Sequence, residues 1–359
     1  MAQGHEVRDF SGHRRLRAGV IFVALTLLLA CAPRETARYG ATVPGAQTQT
    51  VYVATQRALN RTGAVFGEKR PERMNFFRNE ISIPPTHEPG LVEWTPRHRP
   101  VDPNTDFVVT DTRIFDGMAS MIRDLRSHET HGESLVFIHG YNNTLSEAMY
   151  RLAQIRADFQ MPMPSILFSW PSAGDPRGYI YDRDSVLYAR DDMEAMLHAL
   201  TAKPGEKVFL LAHSMGAQLT MEVLRQAALR GDHQLLSRIS GVVLMSPDID
   251  PDLFQKQAEA IGKLPQPFMI FISRQDRALS LAGFLSGRKT RLGRIDGPDK
   301  VGNLEVSVID FTALGDGEGL NHFTPVTSPA AVQVLRGMIT QAETPSNAFE
   351  RYMVLSAQP

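Results

Sequence analysis

The chain has 359 residues, 43% hydrophobic and 21% charged, with 38 basic side chains against 39 acidic ones and a single cysteine. An apolar fraction of that size belongs to a chain that buries a core and excludes a disordered one, and a net charge of -1 supplies no basic field for sequence-independent nucleic-acid binding. One cysteine also excludes an intrachain disulfide framework and any zinc site built on two or more thiolates.

The first element in chain order is a basic stretch, Arg8, Arg14, Arg15 and Arg17, followed by the uncharged run Ala18 to Ala30. A membrane-spanning helix needs about 20 apolar residues and this run is shorter, in the range of a secretory signal. Its end, Leu28-Leu29-Ala30-Cys31, resembles the lipobox of bacterial lipoproteins. That resemblance implies cleavage before Cys31, lipidation of its sulfur and anchoring in the cell envelope, with Ala32 pointing to the outer membrane. The alternative is an uncleaved anchor in which Cys31 is incidental. Leu16-Arg17 after the arginine pair does not resemble a twin-arginine signal, so the export route is read as the general one. Cleavage removes four arginines and two acids and leaves 329 residues with a net charge of -3. Residues 31–50, rich in Pro, Gly, Thr and Gln, read as a flexible tether.

From Val51 onward short apolar runs alternate with helical patterns, the sign of an α/β domain over residues 51–345 with a doubly wound, mostly parallel sheet and helices on both faces. Strands are expected at Val51 to Ala54, Asn75 to Ile83, Phe107 to Thr110, Ser134 to Ile138, Ser165 to Ser169, Lys207 to Ala212, Gly241 to Met245, Pro267 to Ile272 and Leu304 to Ile309. Whether the strands of the leading segment, residues 51–106, join the main sheet or form a flap stays open. A capping box of Thr144 and Glu147 starts a helix. Tyr181 to Leu200 reads as another, with Asp182, Asp184, Asp191 and Asp192 on a solvated face. Further helices are expected at Met215 to Leu229, Leu253 to Ile261, Ala278 to Leu285 and Ser328 to Ile339, with residues 346–359 as a C-terminal tail.

In LLAHSMGAQL, Leu210 to Leu219, a buried strand hands over to a helix with Ser214 at the turn. A nucleophile elbow needs small residues two before and two after its serine, and Ala212 and Gly216 stand there. The bland reading of Ser214 is a helix N-cap. The helix N-terminus offers the Met215 N–H to an oxyanion, and FIHGYNN, Phe137 to Asn143, offers the Tyr141 N–H after the tight turn at Gly140.

With FIHGYN, the FSWPSAG of Phe168 to Gly174, AHSMG, MSPDID and SRQDRAL, the chain resembles the α/β-hydrolase superfamily, and within it a bacterial esterase/lipase-like family of undefined substrate. The superfamily order of nucleophile, acid, histidine implies Ser214 as nucleophile and His322, in GLNHFTP, as base, leaving His233 as a surface residue. Asp276 is the first candidate acid and Asp248 the second, whose bland role is turn formation. His139 is read as fixing its loop and His213 as packing. His128 and His131 have H-x-x-H spacing without an acidic partner. Trp170, Tyr179 and Tyr181 either line a substrate pocket or pack. No cofactor or metal is expected.

The function implied is a serine hydrolase, acting on a small or medium acyl ester through an acyl-enzyme. A short segment before Pro267 leaves no room for a large lid. The alternatives are a non-catalytic envelope scaffold on the same fold and an amidase or peptidase using the same triad.

Overall fold

The structure, a computed structural model, describes residues 34–60, 65–67, 69–128, 132–287, 289–315, 320–342 and 352–355. Two compact units divide the chain, Met1–Glu35 and Thr36–Pro359, and nearly all described residues belong to the second. Cys31, the expected signal segment and His131 lie outside them. Among the described residues no helix is long and apolar enough to cross a membrane.

The strands are β1 (Gln47–Thr55), β2 (Leu59–Asn60), β3 (Val65–Phe66), β4 (Asn75–Ile83), β5 (Val108–Phe115), β6 (Glu133–Ile138), β7 (Ser165–Ser169), β8 (Lys207–His213), β9 (Ile239–Met245), β10 (Phe268–Ile272), β11 (Ser307–Asp310) and β12 (Tyr352–Val354). Helices are α1 (Met118–Ser127), α2 (Leu145–Asp158), α3 (Tyr179–Leu200), α4 (Met215–Leu229), α5 (His233–Ser237), α6 (Pro251–Ile261), α7 (Arg277–Leu285), α8 (Thr324–Thr327) and α9 (Pro329–Ala342). Ten strands form one sheet in the order β12-β11-β10-β9-β8-β6-β7-β1-β4-β5. It is parallel from β12 to β1 and antiparallel at β1-β4 and β4-β5.

Alternation along β8 explains why both faces must be covered. Val208, Leu210 and Ala212 enter one core with Val186, Met193 and Leu219 of α3 and α4. Leu211 enters the other with Leu152 and Ile155 of α2 and Leu335 of α9. A strand buried on both faces reads as a continuous apolar run, as VFLLA does. The chain builds β7 on one side of β6 and then crosses to build β8 on the other, so the order of strand addition reverses between β6 and β8 while the strands stay parallel. Crevices for ligands open at the carboxyl ends of strands at such a switch point.

Several expectations shift. The leading strands join the main sheet, with β1 beside β7 and beginning at Gln47, inside the stretch read as tether. Earlier still, Tyr39 bridges to Val109 and the Gly40 N–H donates to the Val109 carbonyl at 3.1 Å, so residues 39–50 are partly laid against the sheet. The stretch read as tail contributes β12, which pairs with β11 and buries Leu355. α1 falls where no helix is expected, although Met118, Met121, Ile122 and Leu125 recur at helical spacing.

Candidate active site

Ser214 sits between β8 and α4 with φ 53° and ψ -120°. A non-glycine residue in that region is strained, and the surroundings must hold it there. The Ser214 N–H donates to the Met245 carbonyl at 2.9 Å, and its own carbonyl accepts the Asp248 N–H at 3.1 Å. The side chain makes no capping bond to α4, so the N-cap reading does not hold. At Gly216 a Cβ would stand 2.5 Å from the His139 carbonyl oxygen, and at Gly140 one would stand 2.7 Å from the Ser214 Cβ. The loop after β6 and the elbow therefore touch, which is why both positions are glycine. Met215 at the start of α4 has no intrahelical acceptor for its N–H. Among the described residues no carbonyl takes up the Tyr141 N–H.

His322, in the loop after β11, lies beside the elbow. Its ring centroid is 4.5 Å from that of His213, and its carbonyl lies 3.2 Å from His213 Nε2. His322 Nδ1 is 2.7 Å from Asp276 Oδ2. A carboxylate can only accept, so Nδ1 carries the hydrogen, and in the neutral ring this leaves the lone pair on Nε2. Asp276 is buried and follows β10; its other oxygen caps α7 by accepting the Leu279 N–H at 2.8 Å.

Asp248 is engaged elsewhere. It is buried, with Oδ1 2.5 Å from Arg291 Nε and Oδ2 accepting the Tyr179 hydroxyl at 3.0 Å. Of the two candidate acids, the structure brings Asp276 to the histidine.

The chain matches, over residues 116–339, the family described as "Alpha/beta hydrolase of unknown function (DUF900)", more than half its length. It belongs to this family. Among solved structures it is similar to an inhibited esterase B from Lactobacillus rhamnosis, with 11% identity, a TM-score of 0.37 and 92% of this chain and 96% of that one covered. It is also similar to a dienelactone hydrolase from Anabaena variabilis, with 12% identity, a TM-score of 0.37 and 83% and 96% covered. A Pyrobaculum calidifontis esterase gives 12% identity, a TM-score of 0.34 and 94% and 96% covered. No curated protein matches the chain.

Three residues of this family member that sequence reasoning left out hold its site together. Asp182, expected on a solvated face, is fully buried. It accepts the Ser172 hydroxyl and the Ala173 N–H, each at 2.6 Å, and the Asn142 N–H at 3.1 Å. Burial raises its carboxyl above the ordinary value, and these donors oppose that. Arg57, also buried, donates through Nη1 to the Ser172 carbonyl at 2.8 Å and through Nη2 to the Asn143 carbonyl at 2.7 Å. Together they pin the loop that carries Tyr141. Arg291 does the same for Asp248. Asp184, Asp191 and Asp192 are exposed as expected.

The aromatic residues separate. Trp170 is fully buried, stacks on His139 at 4.8 Å and donates its indole N–H to the His139 carbonyl at 2.8 Å, so it packs and lines no pocket. Tyr181 is half-buried and carries the Arg70 guanidinium 4.7 Å above its ring. Tyr179 meets Tyr141 edge to face at 5.3 Å and reaches the elbow through Asp248, which accepts its hydroxyl and whose N–H donates to the Ser214 carbonyl. His139 is fully buried and lowered to about 3, by burial first and then by the Arg57 charge. It therefore stays neutral. His213 is lowered too, mainly by burial and then by His322, and stacks on Phe323 at 3.8 Å. His233 is exposed at the start of α5. His128 turns its Nδ1 to the Asp124 carbonyl at 2.8 Å.

Among the described residues one group, Glu194, His198 and Asp232, brings its ligand-type atoms within 4.8 Å of one another. Arg230 and Gln226 already bind the Glu194 carboxylate, which leaves it poorly disposed to hold a cation.

Proposed function

We propose that this hydrolase-family chain is a carboxylic-ester hydrolase working through Ser214, His322 and Asp276. The observation that carries the reading is the 2.7 Å His322–Asp276 bond beside a Ser214 held in the strained elbow conformation. His322 Nε2 takes the hydroxyl proton as Ser214 Oγ bonds to the acyl carbon. The Tyr141 and Met215 N–H groups stabilise the oxyanion, and Asp276 stabilises the imidazolium. The imidazolium then gives its proton to the departing alkoxide. A water, deprotonated by the same nitrogen, attacks the acyl-enzyme; as the acyl–Oγ bond breaks, the imidazolium gives that proton to Ser214 Oγ and the acid leaves. None of these steps needs a cofactor.

Ser214→Ala should abolish p-nitrophenyl ester hydrolysis while leaving the circular dichroism spectrum unchanged; wild-type turnover in that variant would refute the nucleophile. We also propose export and lipidation at Cys31, on the strength of the lipobox-like LLAC. Cys31→Ala should then turn a membrane attachment that withstands high salt into one that salt releases, without loss of esterase activity.

A further inference from the structure

α7 turns its large apolar side chains outward. Arg277, Ser280, Leu281, Phe284 and Leu285, at helical spacing, form its exposed face. Leu281 is 58% and Phe284 60% exposed, while the buried side is carried by Leu279, Ala282 and Gly283. A surface helix in water ordinarily has the opposite arrangement. Two neighbours extend the patch. Leu320, 60% exposed, accepts the Arg277 N–H at 2.9 Å through its carbonyl. Ile180, 68% exposed, follows Tyr179, whose hydroxyl lies 3.4 Å from Ser286 Oγ just past the end of α7. The helix begins at Asp276 and Leu320 stands two residues before His322, so this patch lies on the segments that carry two of the candidate catalytic residues.

Charge follows the same segment. Ser273 to Lys300 holds seven Arg and Lys side chains against three Asp, in a chain whose net charge is -1. Asp276 is buried against His322 and Arg291 against Asp248, which removes one acid and one cation from the surface, and Arg274 is paired with Asp310; the segment keeps its basic excess. Beside α7 runs a groove of about 420 Å³ lined by Ser280, Phe284, Lys289, Thr290, Arg291 and Arg294. Lys289 is exposed at its edge. Exposed apolar side chains flanked by cations complement a lipid interface with anionic head groups, where the apolar residues enter the acyl boundary and the cations meet phosphates.

We propose that this face of α7 docks on an anionic lipid surface, with Leu281, Phe284 and Leu285 entering the interface and Lys289 and Arg294 facing the head groups. It follows, resting on the esterase reading, that the acyl substrate reaches Ser214 from the bilayer. The small or medium acyl substrate expected from loop length is narrowed by this proposal to a lipid-borne one.

The test places a reporter on the patch. Phe284→Trp, in a full-length Ser214→Ala, Cys31→Ala background that lacks the lipid anchor, is mixed with vesicles of phosphatidylcholine alone or of phosphatidylcholine with phosphatidylglycerol. Its tryptophan emission is read after subtraction of the Ser214→Ala, Cys31→Ala parent, which carries the native Trp94 and Trp170. The expected result is a blue shift, and quenching by brominated lipid, with the anionic vesicles only. Added salt or Lys289→Glu should weaken that shift several-fold. No shift with either vesicle overturns the proposal. An equal shift with neutral vesicles overturns its charge component, and a shift that grows with protein concentration without vesicles shows a second copy on the patch and overturns it as well. None of these readings involves the serine, so failure here is distinct from failure of the esterase reading.

Discussion

At Gly216 a methyl group would meet the His139 carbonyl oxygen at 2.5 Å and that of Ile138 at 2.6 Å, main-chain atoms that cannot rotate aside. Gly216→Ala should therefore push the loop after β6 away from the elbow. The expected cost is about 1–3 kcal/mol of stability, read by urea unfolding, with at least a ~10-fold loss of kcat. Ala212 shows the opposite case: its methyl is fully buried among apolar residues and the elbow accepts it. Asp182→Asn replaces one acceptor oxygen by a donor that faces groups already donating. It should cost about 1–3 kcal/mol and lower kcat more than it raises KM, because the Tyr141 amide loses its anchor. Ser214, Asp276 and His322 were legible because an elbow, a strand end and a chain order each leave a local trace. Asp182, Arg57 and Arg291 were not. Their partners lie far away in sequence, as Arg57 does from Asn143, and the pattern of one helix face cannot report a carboxylate folded inward at its first turn.

Parallel strands such as β8 were readable as elements because burial on both faces leaves an uninterrupted apolar run. β12 was not: Tyr352, Met353, Val354 and Leu355 form an apolar run too short to tell strand from tail, and it takes its place by pairing with β11, which would otherwise be an edge with unpaired main-chain groups. The same logic predicts the effect of removing it. A chain ending at Ala342 loses β12 and the bond from the Leu355 N–H to the Asp310 carbonyl at 3.0 Å. It also exposes the strand that leads to the His322 loop. Thermal unfolding of that truncation should fall by several degrees or more, and an unchanged midpoint would show that β12 contributes nothing. α7 is the other instructive element. Its helical spacing was evident, but which side of that spacing faces the core depends on neighbours that sequence periodicity does not supply.

For the molecule as a whole, buried histidines set opposite limits on pH stability. His139 is held at about 3 and His213 well below 6.5, so between those values and 6.5 the unfolded chain binds protons that the folded chain refuses. Stability from this source is complete above about 6.5 and is lost as pH falls. His87 acts in the other direction. Burial opposes its charge, but hydrogen bonds with Asp158 and Glu93 outweigh it and raise the group to about 9. Its contribution is full below about 6.5 and is lost as pH rises through 9. Unfolding free energy should therefore peak in the neutral range, and His87→Gln should flatten the alkaline limb alone. The fold brings loops from β6, β8, β10 and β11 to one end of the sheet, where Ser214 stands at the elbow after β8. Active-site labelling with a fluorophosphonate probe, followed by peptide mass spectrometry, tests its role as nucleophile most directly. The probe should modify wild type on Ser214, and fail on Ser214→Ala and on His322→Ala. A wild-type chain that is folded and unlabelled, or a Ser214→Ala chain that is labelled as readily, would contradict it.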